Sequence, residues 1–245
     1  MKIFVIGGTG LIGSKLVTKL RAAGHEALAA SPNTGVNIIT GEGLAEAMQG
    51  ATVVVDVANA PSWSDEEVMN FFTTAARNIL AAEAAAGVGH HVALSVVGTE
   101  KMQDSGYFRA KLAQEEAIKA GSIPWTILRA TQFFEFMDTA VAENADEKTV
   151  RLPATLIQPM ASADVARAVA DVSVGNPLEG TRTVAGPEVF QLDELGRVTL
   201  AAHGDKRTVV TDNSAGMFAP ASGDALIAKG DTVIAPTTYR EWLKR

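Results

Sequence analysis

Short runs of β-branched and aliphatic residues alternate, over the first two-thirds of the chain, with longer stretches whose apolar residues recur at helical spacing. The run KIFVIG at 2–7 reads as a buried strand, and SKLVTKLRAAG at 14–24 as an amphipathic helix closed by glycine. A second strand is predicted at 25–31, a short helix at 43–50 and a strong strand at 52–58. The span 65–86 reads as a long helix, with Asp65, Glu66 and Glu67 favourable in its first turn and Gly87 after its end. Strands are predicted at 90–97 and 125–129, on either side of a helix over 107–120 that Gly121 ends. Such alternation implies a parallel sheet covered on both faces.

Beyond Arg129 the pattern loosens. The segment 131–148 is aromatic and then acidic and predicts a helix; 162–175 predicts another, with Ser162 as its N-cap; 181–186 reads as a strand. From Pro187 onward the short elements have no legible order. The expected fold is therefore α/β, a doubly wound parallel sheet of Rossmann type. Its core spans 1–130, to which 161–186 returns, and 131–160 with 187–245 form a small interleaved substrate-binding region.

Composition narrows the function. The 245 residues are 47% hydrophobic and 20% charged, which suits an ordinary globular chain. A net charge of −7 with no basic stripe argues against a nucleic-acid partner. The absence of cysteine excludes disulfides, thiolate catalysis and Cys-ligated metals. No apolar stretch approaches the ~20 residues that span a bilayer, and MKIFVIGGTG reads as a strand and not a signal peptide. These features predict no membrane partner and a cytoplasmic protein acting on a small-molecule substrate, and they leave the oligomeric state open. His90 and His91 open a strand, and His25 and His203 have no ligand-like spacing, so no metal is expected.

The first chemical signal is VIGGTGLIG. Gly8-x-Gly10-x-x-Gly13 and Gly7-x-x-Gly10-x-x-Gly13 overlap here, directly after a strand and at the opening of a helix. In that setting one glycine permits the turn, another admits a pyrophosphate, and the last lets helix pack on strand. The helix N-terminus then offers unpaired N–H groups to the phosphates. After the second predicted strand, AASPNTG carries neither the acid that would bind an NAD ribose nor an arginine for NADP. With no carboxylate to repel it, a 2′-phosphate could be received by Ser31, Asn33 and Thr34, which favours NADP over NAD; the same residues read equally well as turn formers.

The second signal is SVVGTEKMQDSGYFRAK. Ser95 falls at the C-terminal end of a predicted strand, the edge where open α/β sheets bind ligands. Tyr107 and Lys111 lie four apart on the following helix and share a face. An ammonium beside a phenol lowers its pKa from about 10. Tyr107 could then protonate a carbonyl oxygen that Ser95 holds during hydride delivery.

In their order, GGTGLIG, VANA, Ser95, YFRAK and WTILRATQFFE resemble a short-chain dehydrogenase/reductase; SADVARAV, VAGPEVFQLDEL and TTYREWL are similar to its NmrA-like atypical branch. The resemblance implies that Gly7, Gly10 and Gly13 line the pyrophosphate, helped by the backbone of Thr9, Leu11 and Ile12. It sets Ala58 and Asn59 beside the adenosine, gives Lys111 the nicotinamide ribose, and matches Asn70 to an asparagine that supports that lysine through the helix backbone or water; Asn70 reads equally well as an exposed polar residue on a helix. Thr131, Gln132 and Phe133 would lie near the substrate. Ser31 stands where many NADP-binding relatives have arginine, and Ala130 where a proline is common. The implied activity is NAD(P)H-dependent hydride transfer to a small carbonyl, quinone-like or conjugated substrate. A non-catalytic redox sensor acting through a protein partner is the alternative, since the branch includes members that bind NAD(P) without turnover. Nucleotide-sugar epimerase or dehydratase chemistry ranks third, because the region after Arg129 is short for gripping such a substrate. Among the remaining residues, at least two of Phe133, Phe134 and Phe136 are expected to pack, Asp164 to serve as a first-turn helix acid, and Trp242 to anchor the tail.

Overall fold

The computed structural model describes residues 1–219 and 221–244; Pro220 and Arg245, both inside the expected region 187–245, lie outside the described residues. Strands β1 (Lys2–Ile6), β2 (Glu26–Ala30), β3 (Val53–Asp56), β4 (His90–Val96) and β5 (Trp125–Ala130) alternate with helices α1 (Leu11–Ala22), α2 (Leu44–Ala47), α3 (Asp65–Ala86) and α4 (Gly106–Ala120). Then follow α5 (Phe136–Glu143), β6 (Thr149–Leu152), β7 (Leu156–Ile157), α6 (Ser162–Ser173), β8 (Gly180–Ala185), β9 (Phe190–Gln191), α7 (Leu192–Ala202), β10 (Thr208–Thr211), β11 (Thr232–Ile234) and α8 (Tyr239–Trp242). Seven strands form one sheet in the order β11-β8-β5-β4-β3-β1-β2. The pairings of β1 with β2 and β3, of β3 with β4 and of β8 with β11 are parallel, Val5 standing between Ala29 and Val55. This is the Rossmann-type α/β fold that the alternation predicts. Chain order reverses between β1 and β3, so the switch point of the sheet, where such folds bind ligands, lies at their C-terminal ends.

Two compact units make up the chain: Met1–Arg129 with Val165–Arg182, and Ala130–Asp164 with Thr183–Arg245. In the first unit, α3 buries Val68, Phe72, Ala75, Ala76, Ile79 and Glu83, a stripe at helical spacing. Ser64 caps its N-terminus, accepting the Glu67 N–H, and Gly87 ends it in the left-handed conformation. Phe72 and Ile79 are fully buried, and burial of each stabilises the fold by about 2–3 kcal/mol. The start of α4 approaches α3 so closely that a Cβ on Gly106 would meet the Asp65 carboxylate. The second unit adds a parallel pair, β6 with β10, and an antiparallel pair, β7 with β9. Among the described residues no helix is long and apolar enough to cross a membrane.

Two local expectations are corrected. The helix read over 131–148 shrinks to α5. At its front, the Thr131 N–H bonds Val184 O and the Met160 N–H bonds Gln132 O, which holds the segment extended. At its rear, the Asp146 carboxylate takes the N–H groups of Lys148 and Thr149 and turns the chain into β6. Ser162 is not an N-cap: it is the first residue of α6, and its N–H and hydroxyl both donate to the Glu135 carboxylate.

Candidate functional site

The glycine loop joins β1 to α1 in a conformation that side chains would prevent. Gly7 has φ +75°, and a Cβ there would lie 2.9 Å from the Ala58 nitrogen. On Gly13 a Cβ would lie 2.1 Å from the Gly7 carbonyl oxygen, so the first turn of α1 can reach the loop only without one. Gly10 differs: its Cβ would touch nothing closer than 3.3 Å, and it is the extended N-cap of α1, with no side-chain cap. Helical bonding begins with the Ser14 N–H on Gly10 O, no acid occupies the first turn, and Thr9, Gly10 and Leu11 are exposed. First-turn N–H groups left open in this way, above a floor that no Cβ obstructs, fit a pyrophosphate. Ile12 and Gly13 are buried beneath them.

Ser31 follows β2 in a buried position, and its hydroxyl has no protein hydrogen-bond partner. The Thr34 hydroxyl is already engaged, accepting the Ser31 N–H at 2.9 Å and donating to Ser31 O at 3.0 Å. Asn33 is exposed on this turn, and no charged side chain occurs from Ser31 to Gly35. At the end of β3 the buried Asp56 accepts the Ala58 N–H at 3.0 Å, fixing the turn that closes over Gly7; Ala58 is half-buried and Asn59 exposed.

Ser95, Tyr107 and Lys111 all lie in this unit but do not form a hydrogen-bonded triad. The Ser95 hydroxyl donates to Glu115 Oε1 at 2.6 Å, and that carboxylate also takes the Arg129 guanidinium at 2.9 and 2.6 Å. Burial raises the Glu115 pKa, but the hydrogen bonds from Arg129 and Ser95 outweigh it and hold the carboxyl below its ordinary value. The Lys111 ammonium donates to Leu94 O at 2.9 Å and to the Gln114 amide oxygen, and it lies 4.5 Å from the centroid of the Phe72 ring. Gln114 passes the chain on, donating to Asp56 at 2.8 Å. Burial lowers the Lys111 pKa to about 8, against the pull of Asp56 and Glu115.

Tyr107 is half-buried in an aromatic cluster, its ring 5.4 Å from Trp63, 5.7 Å from Phe108 and 6.0 Å from Phe72. Burial pushes its pKa up to about 12. The expected lowering by Lys111 is corrected: Phe72 and Gln114 occupy the ammonium, and burial alone sets the phenol. Asn70 follows its second reading, that of an exposed polar residue on a helix. It is exposed on α3, and its side chain accepts the Thr74 hydroxyl at 3.2 Å.

In the second unit, Thr131 is buried and its hydroxyl accepts the Gly186 N–H at 3.3 Å. The buried Gln132 accepts the Gln158 N–H at 3.3 Å through Oε1, while its Nε2 has no protein partner. Phe133 is half-buried; Phe134 packs against Tyr239 and Trp242, and Phe136 against Phe218. Asp164 accepts the Thr237 N–H, and Trp242 stacks on Tyr239. The histidines of β4 have internal partners: Thr126 for His90, Glu83 for His91. Among the described residues no three His, Cys, Asp or Glu converge to hold a metal. The residues that motif reading missed are Asp56, Gln114 and Glu115. For Gln114 and Glu115 the signal was a polar side chain on the buried stripe of α4, beside Lys111; for Asp56 it was a carboxylate at the end of the apolar strand β3.

The chain belongs to the NAD(P)H-binding family, whose model matches residues 7–174. This agrees with the NmrA-like resemblance of the motifs and identifies an NAD(P)-binding protein. A (4-alkanoyl-5-oxo-2,5-dihydrofuran-3-yl)methyl phosphate reductase of Streptomyces griseus is 29% identical over 80% of this chain and 73% of its own length. A photosystem II assembly factor of Cyanophora paradoxa is 24% identical over 79% of this chain and 68% of its own. A short-chain dehydrogenase/reductase superfamily protein of Agrobacterium tumefaciens, solved with bound NAD, superposes with a TM-score of 0.73 at 16% identity; the match covers 99% of this chain and 94% of that one.

Proposed function

We propose that the protein is an NAD(P)H-dependent reductase of small conjugated carbonyl compounds. The observation that carries the reading is the loop at the switch point: backbone N–H groups open above glycines whose side chains could not fit. The reductase of Streptomyces griseus, named for a substrate with a lactone carbonyl conjugated to a ring alkene, supports the substrate class. Gly7, Gly10 and Gly13, with the backbone of Thr9, Leu11 and Ile12, would hold the pyrophosphate, and Ser31, Asn33, Ala58 and Asn59 the adenosine end. The bound cofactor supplies a hydride to an electrophilic carbon. Tyr107, neutral at physiological pH, keeps a proton to give, and Thr131, Gln132 and Phe133 would border the substrate. Ser95 and Lys111 act in this reading through Glu115 and Gln114, holding α4 in place, since their own polar atoms are engaged.

Without a carboxylate at the β2 end, NADP is the favoured cofactor; without a guanidinium the preference stays below about tenfold. Fluorescence titration with NADPH, NADH, NADP and NAD tests the binding step. A screen of enones, butenolides and quinones, run on wild type and Tyr107→Phe, tests the chemistry. The reading requires turnover of a conjugated acceptor and its loss in the variant. Unchanged turnover in Tyr107→Phe removes the tyrosine from the acid role.

A second reading is favoured by the internal engagement of Ser95 and Lys111 and by the relative named as an assembly factor: a redox-sensing NAD(P)-binding regulator that acts through a protein partner. It requires different affinities for oxidised and reduced cofactor. Equal affinities in the same titrations exclude it.

A further inference from the structure

Between β3 and α3 the chain runs VANAPSWS, and its tryptophan faces outward. Trp63 is 51% exposed, and among the described residues no other Phe, Tyr or Trp is exposed. A lone apolar side chain on a surface calls for no explanation. Trp63 is not alone. Its ring lies 5.4 Å from that of Tyr107 in the same compact unit, and Tyr107 packs in turn on the buried cluster of Val68, Phe72 and Ala110. The two rings are tilted by 56°, so the indole is not stacked away against the phenol. The loop leaves β3 at its C-terminal end, the side from which open α/β sheets take ligands.

The loop fixes the indole before any ligand arrives. Ser62, on one side of it, donates its hydroxyl to the Glu67 carboxylate and accepts the Ser64 N–H at 3.2 Å. Ser64, on the other side, caps α3 by accepting the Glu67 N–H at 3.3 Å. Trp63 is therefore held between two residues fastened to the first turn of α3. A flat ring laid on a preset indole gains stacking with little ordering cost. The charge beside it is negative: Asp65, Glu66 and Glu67 follow closely, and Arg109, paired with Asp65, offsets only one of the three. An anionic ring would be repelled there.

We propose that Trp63 is the stacking platform for the flat, uncharged ring of the substrate, a quinone-like or conjugated cyclic carbonyl lying on the indole beside the Tyr107 phenol. That the ring is a substrate rests on the reductase reading; the exposed and fastened indole does not. Trp63 is in this role a specificity-determining residue. Its area selects flat rings over puckered ones, and the acidic turn selects neutral rings over anionic ones.

The test compares 1,4-naphthoquinone with decalin-1,4-dione, its saturated and puckered analogue, and with 1,4-naphthoquinone-2-sulfonate. The chain has no cysteine for a quinone to alkylate. Affinities are measured by ligand-observed NMR on the whole protein, with and without NADP. Wild type should bind the quinone about 3- to 10-fold more tightly than the dione. Trp63→Leu should erase that preference, and Trp63→Phe, which keeps a smaller ring, should fall between. Both should leave NADP affinity within about twofold and the melting temperature level; a merely structural tryptophan would not distinguish flat from puckered probes. The sulfonate should bind about threefold more weakly than the quinone, a gap that Glu66→Gln and added salt both narrow. No preference for the flat ring in wild type, or the same preference in Trp63→Leu, overturns the platform. A parallel loss of NADP affinity in Trp63→Leu overturns it as well, because the indole would then lie on the cofactor. A sulfonate held as tightly as the quinone overturns the charge selection. If the quinone binds through Trp63 but neither NADPH nor NADH reduces any quinone or enone, the reductase reading falls and the platform stands. Turnover with an unchanged KM in Trp63→Leu has the opposite meaning.

Discussion

The glycine loop and the Tyr107 helix follow strands of the same sheet, in the same unit, and spend their polar groups in opposite ways. After β1 the loop is built from backbone, and its open N–H groups have no other use. After β4 the groups that a motif would assign to cofactor and substrate are taken up by the protein itself: Ser95 by Glu115, Lys111 by Leu94, Gln114 and Phe72. A backbone site declares its purpose because glycine is otherwise a cost. A side-chain motif gives residue types at a spacing, and the neighbours decide what those residues do.

The largest expected effect comes from filling the loop. In Gly13→Val a Cβ 2.1 Å from a carbonyl oxygen forces α1 away from β1. Stability should fall by about 3 kcal/mol in denaturant unfolding, and cofactor binding should vanish. Gly10→Ala sharpens the contrast: its Cβ would sit 3.3 Å from the Gly7 carbonyl oxygen, a tight contact that a shift of a few tenths of an ångström relieves. The fold should survive unchanged while NADPH affinity, read by fluorescence, still drops. Equal destabilisation by both would mean that Gly10 is structural, and the division between floor and opening would be wrong.

Next in size is the buried chain from Lys111 through Gln114 to Asp56. Gln114→Leu strips the bridging amide from a buried ammonium and a buried carboxylate at once. A loss of about 3 kcal/mol is expected, with weaker cofactor binding because Asp56 sets the Ala58 turn against Gly7. Lys111→Met separates the roles. A lysine that touches cofactor should cost NADPH affinity even where the variant folds well, whereas an internal lysine should leave it intact.

How much of this was legible depended on whether local pattern or tertiary partner decided the outcome. The bounds of α3 could be read because its cap, its acidic first turn and Gly87 are all local. The parallel sheet followed from the alternation of strand and helix patterns, while its strand order, and with it the switch point, did not. The front of the 131–148 segment was not legible, since Val184 and Met160, which hold it extended, are remote in sequence. The same applies to Ser162, whose short polar side chain suited a cap until Glu135 claimed it. At the candidate site, Tyr107 was legible as a residue but not in its chemistry: Trp63, Phe72 and Phe108 supply the burial that raises its pKa, and no spacing rule couples them.

The pH dependence of stability probes the same helix more gently. Lys111 has a folded pKa near 8 against an ordinary 10.5, so between these values the unfolded chain binds more protons. The penalty of burying the ammonium is fully present below about pH 8 and is relieved as pH rises toward 10.5. Wild-type stability should therefore gain an upward component across that window, and Lys111→Met should lack it. An identical profile in the variant would mean that the amine is not desolvated as the structure has it.

The smallest effect returns to the open side of the comparison. Ser31 is buried with an unpaired hydroxyl, so Ser31→Ala removes a polar atom that contributes no protein bond. Ligand-free stability should stay level or rise by up to about 1 kcal/mol. If the hydroxyl receives the adenosine ribose or its 2′-phosphate, cofactor affinity falls by about three- to tenfold while the Tm without ligand does not. The NADPH to NADH affinity ratio, measured in both proteins, then tells which group it receives. A drop confined to NADPH marks the 2′-phosphate, and an equal drop in both marks the ribose. No change in either makes Ser31 a turn residue, and the open character of this end of the sheet would then belong to the glycine loop alone.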